Sequence, residues 1–225
     1  MTDFYSENSR FYVSVDCIIF GLNRGRLSVL LARRGFEPEK GKWSLMGGFV
    51  RQDENLNDAA MRVLRQLTGL SDIFMEQVGA FGEINRDPGD RVISVAYYAL
   101  INFDEHDRHR VMIHDARWVD LAELPELSFD HPAMIEKALA MLRRKFSTEP
   151  IGFNLLPRLF TLSQLQALYE SVLGEPLDKR NFRKRVADMA CIRITDQIDK
   201  TGSRRGAALY RYDEDVYRND HKFRI

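Results

Sequence analysis

The chain has 225 residues, and its 33 Lys+Arg balance 33 Asp+Glu, so the formal net charge is zero. Hydrophobic residues at 44% and charged residues at 29% exclude a disordered or low-complexity chain and leave room for one large domain or two modest ones. The longest apolar runs, Cys17–Phe20 and Val29–Ala32, are too short to cross a bilayer, Met1–Tyr5 lacks the pattern of a leader, and two distant cysteines, Cys17 and Cys191, suit a reduced cytoplasm.

In chain order, Phe11–Phe20 is β-branched and aromatic and reads as a strand, and Gly21–Gly25 reads as a turn. Leu27–Ala32 completes a hairpin. Apolar residues at Leu56, Ala59, Ala60, Val63, Leu64 and Leu67 follow helical spacing, which predicts a helix over 55–68 ended by Gly69. Strands resume at Glu76–Phe81, Val92–Ile101 and Arg117–Val119, and a helix opens at Pro132 and runs Ala133–Lys145. This order describes an α+β domain over residues 1–148. Ser147–Gly152, with its Pro and Gly, reads as a hinge.

Residues 149–225 read as a second domain. A helix over Thr161–Tyr169 is followed by a turn at Gly174–Pro176, a basic helix over Lys179–Met189, and two short strands at Ile192–Ile198 and Ala207–Tyr212. Divided at residue 150, the neutral chain separates into −4 (19 basic, 23 acidic) and +4 (14 basic, 10 acidic). Within 178–211 the count is 10 basic to 4 acidic. The neutral total therefore does not exclude a polyanion partner.

Gly48, Glu54, Arg62, Leu64, Gly69 and Leu70 stand at fixed spacing across the first helix. This resembles the Nudix box, G-x5-E-x7-R-E-U-x-E-E-x-G-U with U apolar. The resemblance implies a Nudix-like α/β/α sandwich with a mixed sheet. It also implies that three glutamates should hold divalent metal against a diphosphate, and those positions are Val63, Gln66 and Leu67 here. Hard cations need oxygen ligands, which Val and Leu lack, so the expectation is a pocket kept for binding: no catalytic residue, no metal and no cofactor. His106, His109 and His114 lie in a hydrophilic stretch that reads as a loop, not a metal site.

Candidate effector-binding residues flank the motif and occupy the polar loop 82–91: Phe36, Trp43, Ser44, Gly48, Glu83, Asn85, Arg86, Asp87 and Arg91. Carboxylates and amides suit sugar hydroxyls, and an aromatic can stack on a sugar face. The competing readings are a solvated turn for the loop and core packing for Trp43.

The order helix, turn, basic helix, hairpin is that of a winged helix-turn-helix. Candidate DNA-binding residues are Lys179, Arg180, Asn181, Arg183, Lys184 and Arg185 on the basic helix, with Lys200, Ser203, Arg204 and Arg205 on the wing. Arg reads guanine bidentately, Asn reads adenine, and Lys supplies phosphate charge. A solvated basic helix, or a protein-interaction module, is the rival.

A Nudix-like domain followed by a winged helix-turn-helix resembles the Nudix-related transcriptional regulators. Trp43–Val50, Met75–Gly82, Glu149–Pro157 and Lys179–Val186 are similar to arabinose-responsive repressors of that family. The resemblance implies a cytoplasmic homodimeric repressor of sugar-utilisation genes on palindromic operator DNA, away from membranes, released when L-arabinose binds. ADP-ribose is the second effector, with a role in NAD metabolism, and an active hydrolase with an appended DNA-binding domain is a further alternative.

Overall fold

The apolar run at the start of the chain forms the centre of a seven-stranded mixed sheet in the computed structural model, which describes residues 4–23, 25–69, 73–102, 115–201, 205–220 and 223. The side chains of Phe4, Leu67 and Asp220 are not described. His106, His109, His114, Leu70, Ser203 and Arg204 lie outside the described residues.

Strand β1 (Tyr12–Asn23) pairs with β2 (Arg26–Arg33) antiparallel and with β6 (Val92–Ile101) parallel. The path β3-β2-β1-β6-β5 uses β3 (Trp43–Ser44) and β5 (Phe74–Phe81), while β4 (Met46–Phe49) pairs with β1 and β7 (Ala116–Asp120) with β2. The turn expected at Gly21–Gly25 is shorter, because β1 stays paired to Asn23, opposite Arg26.

Both faces of β1 and β6 are buried, and alternation sends successive residues to opposite sides. Val15, Cys17, Ile19, Val95, Tyr97 and Ala99 pack against Ala59, Ala60, Val63 and Leu64 of helix α1 (Leu56–Thr68). Ile18, Phe20, Ala96, Tyr98 and Leu100 face Met134, Ile135, Ala138 and Leu142 of helix α2 (His131–Phe146). The result is the expected α/β/α sandwich. Asp16 falls on the α2 side by the same alternation.

The expected hinge is a buried 3-10 helix, Pro150–Leu155, with Ile151, Gly152 and Leu155 inside. Gly152 is required for close approach: a Cβ there would meet the Phe146 ring at 3.0 Å. The core then continues into helix α3 (Leu162–Leu173), helix α4 (Lys179–Ala187) and the antiparallel pair β8 (Ile192–Asp199) and β9 (Ala207–Tyr212), ending in helix α5 (Glu214–Asp220). Phe146 meets Tyr169 at 5.0 Å, and Tyr169 meets Phe182 at 6.2 Å. Arg143 Nε donates to Val172 O (2.8 Å), and the Leu27 amide donates to Ser171 Oγ (2.6 Å). Helix α3 is thus bonded to both α2 and β2. Among the described residues no helix is long and apolar enough to cross a membrane.

Candidate functional site

Asn55 caps α1 by accepting the Asp58 amide (2.9 Å), which sets the phase of the box that follows. Within it, Arg62 holds Glu54 with two charge-assisted hydrogen bonds of 2.6 and 2.8 Å and donates to Phe49 O (3.0 Å). These bonds hold the Glu54 carboxyl well down, at about 2. Val63 is buried between α1 and the sheet, and Gln66 is exposed. Among the described residues no group of three or more His, Cys, Asp or Glu side chains is placed to hold a metal. The box survives as a brace between a loop and a helix.

Beside it lies a cleft of about 400 Å³, bounded by β4, the Ala32–Phe36 segment, Arg86–Asp87 and the start of α2. Its mouth is aromatic and cationic: Phe36 and Phe49 are 67% and 56% exposed. The Arg34 guanidinium lies 4.7 Å from the Phe36 ring and 4.6 Å from Phe129, with Arg33 alongside. Its floor is polar and buried. Arg86 grips Asp130 through bonds of 2.9 and 2.7 Å and lies 3.8 Å from Asp16 Oδ2. Ser94 Oγ donates to that same Asp16 oxygen at 2.5 Å.

His131 closes the floor. Its Nδ1 accepts the Leu45 amide at 3.1 Å, so the ring proton sits on Nε2, 3.6 Å from Asp16 Oδ1. Burial pushes the imidazole below its ordinary pKa and keeps it neutral. Ser44 Oγ lies 3.4 Å from Nδ1 but donates to Leu45 O (2.7 Å), so this Ser–His–Asp sequence is no nucleophilic triad. Gly47 lets the chain pass Asp16: a Cβ there would collide with the carboxylate and come within 2.8 Å of Val15 O.

Of the expected effector-binding residues, Phe36, Ser44, Gly48, Arg86 and Asp87 line the cleft. Trp43, Glu83, Asn85 and Arg91 do not. Trp43 is clasped between the guanidinium groups of Arg33 (4.5 Å) and Arg117 (4.1 Å), in line with its core reading. The Arg86 amide donates to Glu83 O (3.3 Å), and this turn sends Arg86 inward while Glu83 and Asn85 stay in solvent. Arg91 returns to Glu83 O (3.1 Å). Sequence reasoning missed Asp16, Arg34, Phe129 and His131. One signal was present: a lone carboxylate inside the apolar run Val15–Phe20.

In the second half, Asp178 caps α4 by accepting the Asn181 amide (2.8 Å), and Phe182 and Val186 bury one stripe. Lys179, Arg180, Asn181, Arg183, Lys184 and Arg185 are all exposed, as are Lys200 and Arg205 at the hairpin. Among the described residues none of these cations makes a salt bridge, whereas Arg193 and Arg211 approach Asp213 (3.3 and 3.9 Å) and Arg218 pairs with Glu214 (2.7 Å). Unneutralised cations on one helix and the adjoining hairpin form the electrostatic footprint of a nucleic-acid reader.

Family comparison agrees with both halves. Residues 10–138 match the model of the NUDIX domain, and residues 152–212 match the NrtR DNA-binding winged helix domain. The ADPR responsive transcriptional repressor NtrR of Acinetobacter baylyi is 38% identical over 204 residues, which span 89% of this chain and 81% of the relative. Shewanella oneidensis NrtR complexed with a 27mer DNA superposes with a TM-score of 0.80 at 30% identity, over 95% of this chain and 97% of that one. The NUDIX domain of the same protein complexed with ADP ribose gives 0.53 at 29% identity, over 63% of this chain and 99% of that one. The chain belongs to the NrtR family of DNA-binding transcriptional repressors, in which a Nudix effector domain precedes a winged helix.

Proposed function

We propose that this repressor responds to ADP-ribose, which it binds in the cleft without hydrolysing it, and that occupancy lowers its affinity for operator DNA. The observation that carries the reading is the cleft's composition. Arg34 offers a cation to a diphosphate, the exposed Phe36 and Phe49 offer stacking faces to a base, and the buried floor offers polar groups to a sugar. Similarity to an ADPR responsive repressor and to a NUDIX domain complexed with ADP ribose supports it. Val63, Gln66 and the Glu54–Arg62 pair support binding without turnover.

The expectation of L-arabinose, and with it a role in sugar utilisation, gives way on this reading. Much of what carried it is buried scaffold away from the cleft, such as Trp43, Leu155, Leu156, Phe182 and Val186, which speaks to the fold and not to the effector. A regulator of NAD metabolism replaces it. We further infer a homodimer on a palindromic operator, divided into residues 1–148 and 149–225, with α4 in the major groove and Lys200, Ser203, Arg204 and Arg205 against the backbone.

Fluorescence anisotropy on an operator that the protein itself selects from random duplexes tests this reading. ADP-ribose is expected to weaken binding at least tenfold and L-arabinose to leave it unchanged, with ADP-ribose recovered intact after incubation with magnesium. Unchanged DNA affinity at saturating ADP-ribose overturns the effector assignment, and release of AMP overturns the absence of hydrolysis.

A further inference from the structure

The floor of the cleft holds an acceptor and a donor that are close but not joined. Asp16 Oδ2 is engaged by Ser94, but its Oδ1 stands 3.6 Å from His131 Nε2, beyond hydrogen-bond length. Neither group is free to close the gap. The Leu45 amide fixes the imidazole, and the Ser94 hydroxyl on Oδ2, with the backbone of β1 paired to β4 and β6, holds the carboxylate. Gly47 leaves the space against Oδ1 clear of a side chain. The Arg86 fork is committed to Asp130 and does not compete for the site.

An aliphatic hydroxyl both donates and accepts, and one placed about 2.8 Å from each atom closes the triangle with Oδ1 and Nε2–H. A phosphate does not suit the site, because it would set anion against buried carboxylate. We infer that Asp16 and His131 form a hydroxyl-recognition site that selects the terminal ribose of the effector, with the diphosphate at Arg34 and the base at the aromatic mouth. This assignment rests on the ADP-ribose reading and deepens it. The gradient of exposure sets the direction, because Phe36 and Phe49 are mostly open while Asp16 and His131 are 8% and 2% exposed, so the end of the ligand reaches the floor. Specificity follows because a buried pair arranged for a hydroxyl rejects a ligand that lacks it.

The test is calorimetric titration of the full chain with ADP-ribose, ADP, D-ribose and L-arabinose. Wild type is expected to bind ADP-ribose at least tenfold more tightly than ADP and to bind the free pentoses weakly or not at all. Asp16→Asn is expected to lower ADP-ribose affinity about tenfold or more while leaving ADP within about twofold, the range of a lost hydrogen bond to a charged group. If that variant fails to fold, wild type titrated with ADP-ribose lacking the 2-hydroxyl or the 3-hydroxyl of its terminal ribose reads the same contact, and at least one analogue should lose tenfold. Equal affinity of wild type for ADP-ribose and ADP, or an equal loss for both in Asp16→Asn, overturns the site while keeping the effector reading. Tight binding of a free pentose assigns the floor to a sugar effector and overturns the terminal-ribose assignment. Failure of wild type to bind ADP-ribose removes both.

Discussion

His131 and Glu54 are displaced in the same direction from their ordinary pKa values for different reasons. His131 lies among Asp16, Asp130, Arg86 and Arg34, yet burial outweighs the carboxylates and lowers its pKa from 6.5. The unfolded chain therefore binds a proton that the folded ring refuses, and stability falls as pH drops below about 6.5. In urea melts, wild type is expected to lose more stability between pH 7 and pH 5 than His131→Gln. Equal losses would mean that the buried ring does not titrate as its surroundings imply. Glu54 is lowered to about 2 by the Arg62 hydrogen bonds, so its contribution is complete above about 4.5 and lost as pH falls through 2. Arg62→Ala should lower the thermal midpoint at pH 7 and narrow its difference from wild type at pH 2. Neither role follows from sequence spacing alone. Asp16 and His131 are 115 positions apart and meet only because strand alternation and the start of α2 bring them to one face.

Elements long enough to show a period were legible, as was the five-residue β7, while the two shortest strands were not. The spacing of Ala59, Ala60, Val63 and Leu64 matches the buried face of α1, and the β-branched run matches β1 and β6. Strands β3 and β4 span two and four residues and carry no detectable alternation. Helix α5, with the sequence EDVYRND, carries no apolar period, because what shapes it is long-range: Tyr217 packs against Tyr212 and Phe223. The basic helix was legible since its apolar stripe and its cations occupy different faces. Replacing Arg180 or Arg183 of α4 by Ala is expected to cost about 1–3 kcal/mol on operator DNA if the side chain reads a base. Lys184→Ala should weaken all duplexes alike and reduce the slope of log K against log salt by about 1, the signature of one lost phosphate contact. A loss of folding, without these patterns, would assign the row to structure.

Helix α2 joins the cleft to the second half of the chain. Its first residue, His131, closes the cleft floor beside the Arg86–Asp130 pair, and its last turn holds α3 through Arg143 and Phe146. A packed path without an exposed linker therefore runs from His131 along α2 to Tyr169 and Phe182. Arg143→Ala and Ser171→Ala are expected to leave ADP-ribose and DNA affinities within a few fold when measured separately, yet to reduce the effect of one on the other by about 1 kcal/mol. An undiminished effect would place the coupling in a dimer contact instead. Leu155, Leu156, Phe160 and Leu168 belong to the same buried cluster as Met134 and Leu142. The halves should then unfold as one cooperative unit, with a single calorimetric peak whose calorimetric and van't Hoff enthalpies agree. Severed after residue 148, the chain would bare apolar surface on both fragments. A core shared in this way ties the two halves together and trades away modularity.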